Sequence, residues 1–193
     1  MDLNNNYWEN RYQNNEIGWD VGYITQPLKE YIDQLTNKDL KILIPGGGNS
    51  YEFEYLIHKG FYNTYVLDYA KTPIENIKKR LPLVSSNQII CEDFFLHHNY
   101  YDLIIEQTFL CALPPSLRKE YVSKMVSLLN PQGKIAGLLF DFPLTKQEPP
   151  FGGSSKEYQI LFSNDFYIKT LEPAYNSIKP RQNKELFFIF TKK

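Results

Sequence analysis

The stretch Leu40-Lys41-Ile42-Leu43-Ile44-Pro45-Gly46-Gly47-Gly48-Asn49-Ser50-Tyr51-Glu52 constrains the chain more than any other. Its apolar run reads as a buried parallel strand, and three glycines directly after it force a tight loop. Glycine admits left-handed backbone angles and lets a ligand approach the main chain, and a helix opening near Asn49 or Ser50 would offer free amides there. Such a loop is either a ligand cradle or an ordinary glycine turn. Asn63 to Asp68 then reads as a second strand. It ends in an acid about 20 residues past the glycines, the spacing at which nucleotide folds place a ribose-binding carboxylate. Asp68 is read as a ribose ligand, an N-cap of the next helix, or both.

With 193 residues, 42% of them hydrophobic, the chain can fill one full-sized domain but not two comfortable ones. Lysine and arginine number 21 against 22 acids, so no overall basic field exists to draw in nucleic acid or an anionic membrane. Cys91 and Cys111 have neither metal-motif spacing nor the count of a secreted disulfide framework, which points to a reducing compartment. The opening Met-Asp-Leu-Asn-Asn-Asn lacks the order of a signal peptide, and no apolar run reaches membrane-spanning length. The expectation is a soluble, cytoplasmic, monomeric protein.

Residues 1–26 hold Tyr7, Trp8, Tyr12, Trp19 and Tyr23, including both tryptophans of the chain. Trp8 and Tyr12 share a helical face, and the arm is read either as a lid over a flat or cationic ligand or as plain packing. The core, 27–193, alternates helices and strands. Helices are expected over 27–37, 51–59, 73–81, 115–129 and 156–162, with strands at Gln88 to Cys91, Tyr101 to Gln107, Lys134 to Phe140, Phe166 to Leu171 and Glu185 to Thr191. This alternation means one domain with a mostly parallel sheet, helices on both faces. Gly46, Asp68, Asp93 and Glu106 then end strands at one carboxyl edge, where open α/β sheets bind ligands. Asp93 with Phe94 suits an adenine or, equally, is a loop acid beside core rings. The Pro- and Gly-rich loop from Asp141 to Ser155 is too long for a neutral connector and reads as a second lid.

Nearly the whole chain resembles class I S-adenosylmethionine-dependent methyltransferases, and within them the thiopurine S-methyltransferase family with its halide and thiol branch. The residues that carry this are Trp8-x-x-Arg11-Tyr12 with Gly18-Trp19-Asp20, the block from Tyr101 to Pro114, and the loop with Pro149-Pro150-Phe151. The resemblance implies a Rossmann-like sheet of seven strands with an antiparallel C-terminal strand. It implies that Trp8, Tyr12 and Trp19 contact the cofactor, that Pro45, Gly46 and Gly48 pass beside its methionine, and that Asp68 takes the ribose. Asp93 and Phe94 are implied for the adenine, and Gln107 for the methionine end and the acceptor. The thiopurine enzymes carry an arginine where this chain has Gln107, and Phe109-Leu110-Cys111-Ala112 looks closer to the halide and thiol branch.

The implied reaction moves a methyl group from a sulfonium to a small soft nucleophile: a thiol, or alternatively a halide or thiocyanate. The sequence displays no strong general base, since His58, His97 and His98 fall on a helix end and a loop. A thiol near pKa 8.5 is partly ionised at neutral pH and a halide needs no base. Gln107, Phe109, Phe140, Phe142 and Phe151 are the candidates for positioning the acceptor, each phenylalanine with core packing as its alternative. Three rival readings stand beside this one. A dinucleotide dehydrogenase fails where Gly-x-Gly-x-x-Gly would need glycine at Tyr51. A nucleic-acid amino-methyltransferase would use Glu148-Pro149-Pro150-Phe151, which sits after the fifth strand rather than the fourth. The third is a cofactor-binding module without turnover.

Overall fold

Seven strands form one sheet: β1 (Ile42–Pro45), β2 (Thr64–Asp68), β3 (Ile89–Cys91), β4 (Tyr101–Gln107), β5 (Leu129–Phe140), β6 (Phe166–Pro173) and β7 (Glu185–Lys192). Their order is β3-β2-β1-β4-β5-β7-β6, with β1 to β5 parallel and β7 antiparallel to both β5 and β6. The computed structural model describes residues 3–145 and 147–193. Positions 1 and 2 of the aromatic arm and position 146 of the Pro- and Gly-rich loop lie outside the described residues. No helix among those described is long and apolar enough to cross a membrane.

Strand pleating sorts the side chains into two cores. Ile42, Ile44, Val66, Leu103 and Ile105 face helices α2 (Gln26–Asp33), α3 (Tyr51–His58) and α4 (Lys71–Arg80), meeting Leu28, Ile32, Phe53, Leu56, Ile74 and Ile77. Leu43, Leu67, Ile104 and Ile135 face α5 (Arg118–Leu128) and α6 (Ser155–Phe162), meeting Tyr121, Met125, Tyr158 and Phe162. Each fully buried aliphatic or aromatic side chain contributes about 1.5–3 kcal/mol, so both faces hold the sheet between helices. The order reverses at β1, whose neighbours β2 and β4 lead away in opposite directions, and the crevice outside their carboxyl ends is the natural binding place.

The differences from the sequence reading are mostly at element ends. α2 stops at Asp33, not 37, and α4 starts at Lys71, so Pro73 is its third residue. Pro115 to Leu117 form a separate 3-10 turn ahead of α5. Asn130 to Gly133, which lie between the expected helix and the strand expected from Lys134, belong to β5, which begins at Leu129 by pairing with Tyr101 across a bulge. The remaining helix, α1 (Asn5–Gln13), opens the arm, its N-cap Asn4 accepting from Tyr7 N–H.

Candidate functional site

At the end of β1 the chain turns through Gly46 and Gly48, both in the left-handed region at φ 58° and 56°. A side chain at Gly46 would run into the Phe109 ring, and one at Gly48 into the Tyr12 hydroxyl. Glycine is therefore required by conformation and by packing. Ser50 caps α3 from a positive φ of 44°, and its buried hydroxyl has no hydrogen-bond partner among the described residues. Asp68, at the end of β2, braces the loop: one carboxylate oxygen accepts from Gly48 N–H at 2.8 Å, the other from Ala70 N–H at 2.8 Å. It is not the N-cap of α4, a position that Ala70 holds. Burial pushes its carboxyl up to about 6 against the pull of those amides.

The arm lies across this crevice and is tied down at several points. Glu9 of α1 accepts from Thr72 N–H (3.0 Å) and from the Thr72 hydroxyl, and Asn5 donates to the Tyr69 carbonyl. Asp20 accepts from the Asn49 amide at 2.5 Å, and Arg181 donates to the Trp19 carbonyl at 2.6 Å. Trp19 meets Trp8 and Tyr12 edge-on with ring centroids 5.5 and 5.8 Å away, and the Arg11 guanidinium sits 5.5 Å over its ring. Between arm and sheet edge lies a cavity of about 700 Å³, within the usual range for small-molecule sites of roughly 300–1,000 Å³.

Trp8, Tyr12, Trp19, Gly46, Gly48, Asp68, Asp93, Phe94, Gln107, Phe109 and Phe140 all line this cavity. Pro45 does not; buried as the last residue of β1, it only delivers the loop. Phe151 is also off the wall, 4% exposed, with its N–H donating to the Cys111 carbonyl, and Phe142 packs on Phe140. Phe94 is mostly core, packed edge-on to Phe109 and tilted on Tyr121, so the adjoining Phe95 shares its stretch of wall. Asp93 accepts from Phe95 N–H at 2.8 Å, fixing that turn. Glu106, expected at the crevice, turns the other way. Consecutive strand residues take opposite faces, so Gln107 reaches the cleft while Glu106 is fully buried under α5. There it accepts from the Tyr121 hydroxyl and from the N–H groups of Phe109 and Leu110, and burial pushes its carboxyl up to about 7.

Gln107 anchors a polar corner that the sequence reading missed. The amide orientation that satisfies both its ends donates to Thr25 Oγ1 (3.0 Å) and Glu52 Oε1 (3.1 Å) and accepts from Arg181 Nη1 (3.0 Å). Arg181 comes from a 3-10 turn in the segment joining β6 to β7, where no local pattern marks it. Glu52 was visible next to the glycine loop but reads there as an ordinary first-turn acid.

Residues 3–192 match the model of the family described as thiopurine S-methyltransferase. The chain belongs to the thiopurine S-methyltransferase family. It is 27% identical to probable thiol methyltransferase 2 of Arabidopsis thaliana, covering 92% of this chain and 81% of that one. It is 27% identical to the thiopurine S-methyltransferase of Vibrio vulnificus, covering 93% and 90%. The fold matches magnesium protoporphyrin IX methyltransferase of Synechocystis, solved with bound S-adenosylmethionine, at TM-score 0.73 and 13% identity over 100% and 98% of the two chains. Family membership makes this an S-adenosylmethionine-dependent methyltransferase acting on a sulfur nucleophile, on the class I fold expected. The glycine cradle, the orphaned Ser50 hydroxyl and an acid at the end of β2 fit that donor.

Proposed function

We propose that this family member methylates a small thiol held at the Gln107 end of the cleft. The observation that carries the reading is the mixed character of that end. Phe109, Phe140, Leu113 and Pro150 supply an apolar wall suited to a soft sulfur, and Arg181 supplies one cation for a thiolate. When bound, S-adenosylmethionine supplies an electrophilic methyl group. For the chain's own residues, we assign Gly46 and Gly48 to the methionine moiety, Asp68 to the ribose, Asp93 to the adenine amine, and Phe94 with Phe95 to the base. Trp8, Tyr12 and Trp19 form the roof that excludes water. Positioning is the main contribution, since well-oriented reactants gain roughly 7–11 kcal/mol of barrier lowering over free encounter. The proposal takes the enzyme to be monomeric and cytoplasmic, a reading supported by the even charge balance and the two unpatterned cysteines of the sequence.

Arg181 also supports a second reading, in which a halide or thiocyanate is the acceptor. Incubation with S-adenosylmethionine and a panel of alkyl thiols, thiopurines, iodide and thiocyanate, read by mass spectrometry, tests both. A methyl thioether formed at the highest kcat/KM from an alkyl thiol is the expected result. Preference for iodide or thiocyanate would install the second reading, and donor binding without any product would leave a binding module.

A further inference from the structure

Glu52 is a carboxyl on the cleft wall that takes no part in holding the donor. It sits in the first turn of α3, 8% exposed, beside Gln107 at 3.1 Å. The charged groups facing it are Arg181 from the C-terminal segment, Asp20 from the arm and Arg80 from α4. Neither cation forms an ion pair with Glu52 itself. Arg181 donates to the Trp19 carbonyl and lies 3.6 Å from Glu185, and Arg80 pairs with Glu54 at 2.8 Å. Glu52 is therefore held by an amide dipole and its own backbone N–H rather than by an ion pair of its own. Burial is the largest influence on this carboxyl and pushes it up to about 7.

Resting on the thiol reading, we infer that Glu52 is the proton acceptor for thiol substrates, a base placed at the acceptor end of the cleft by the Gln107 amide. The S–H bond breaks toward a Glu52 carboxylate oxygen, and the thiol sulfur uses its electron pair to form the new S–CH3 bond. The bond between that methyl and the donor's sulfonium breaks, its electron pair staying on the sulfur of S-adenosylhomocysteine. Glu52, left as the neutral acid, returns its proton to water at the mouth of the cleft. Acceptors without a proton make no use of this step, which gives the inference its test.

The experiment compares 2-mercaptoethanol with thiocyanate, using wild type and Glu52→Gln across the neutral pH range. Positioned bases contribute typically 10²–10⁴-fold, so the variant is expected to lose roughly a hundredfold or more in kcat/KM with the thiol, and at least tenfold more than it loses with thiocyanate. Wild-type kcat/KM for the thiol should rise with an inflection near pH 7, set by Glu52, rather than follow the thiol's own ionisation. Infrared difference spectra of the wild-type protein alone should show two carboxyl components titrating near neutrality, those of Glu52 and Glu106, of which the variant keeps only the Glu106 one. Equal loss with both acceptors, accompanied by weaker S-adenosylhomocysteine binding, would assign Glu52 to holding the donor and overturn the inference. So would a wild-type profile that tracks only the thiol's ionisation, a result that does not depend on the variant folding. Failure of wild type to methylate any thiol overturns the thiol reading itself, and the proton step with it.

Discussion

Asp68→Ala is expected to weaken S-adenosylhomocysteine binding by roughly ten- to a hundredfold, measured by calorimetry. Hydrogen bonds to a charged group contribute about 1.5–3 kcal/mol, and tenfold in affinity is about 1.4 kcal/mol. Two losses combine. The ribose hydroxyls lose their acceptor, and the Gly48 and Ala70 amides lose the oxygens, each at 2.8 Å, that fix the loop beside the donor. Asp68 is only 8% exposed, so water cannot fully replace it. Unchanged affinity would remove Asp68 from the ribose role.

The second large effect is on stability. Gly137 lies buried in β5, paired with Glu106 of β4 on one side and Phe188 of β7 on the other. A Cβ there would fall well inside contact distance of the Glu106 carbonyl oxygen and would also crowd its carbonyl carbon and Cα. These are backbone atoms in the middle of the sheet, with no rotamer to move away. Gly137→Ala is expected to cost about 3 kcal/mol, the upper part of the range for overpacking. At this chain length that lowers Tm by roughly 6–12 °C. Gly18→Ala is the control, since a Cβ there meets nothing within 4 Å. A Gly137→Ala protein melting with wild type would mean that β4 and β5 leave room for a methyl group between Gly137 and the Glu106 carbonyl.

The residues that were legible in the sequence are those whose signal is local. A run of Ile and Leu followed by three glycines, then an acid closing the next strand, fixes β1, β2 and the loop between them, because backbone freedom and strand burial are properties of neighbours in the chain. All seven strands were visible for the same reason. The face that a side chain takes was legible in part: strand alternation already implies that Glu106 and Gln107 part company, though not which one meets the cleft until α5 is docked. Phe151 and Phe109 look alike in sequence; one packs behind the wall and the other lines it. Arg181 was beyond reach. It meets Gln107, and Trp19 at a sequence separation of 162, only after β7 folds back antiparallel to β5.

The most direct test of the account is the intrinsic fluorescence of Trp8 and Trp19 during titration with S-adenosylhomocysteine, with oxidised NAD as the control. These are the only indoles, they pack edge-on to each other, and both line the cleft. A saturable change with S-adenosylhomocysteine and none with NAD is the predicted result, since it places the donor beneath the aromatic arm. No change with either ligand, together with no heat in calorimetry, would contradict the assignment of this cleft to the donor.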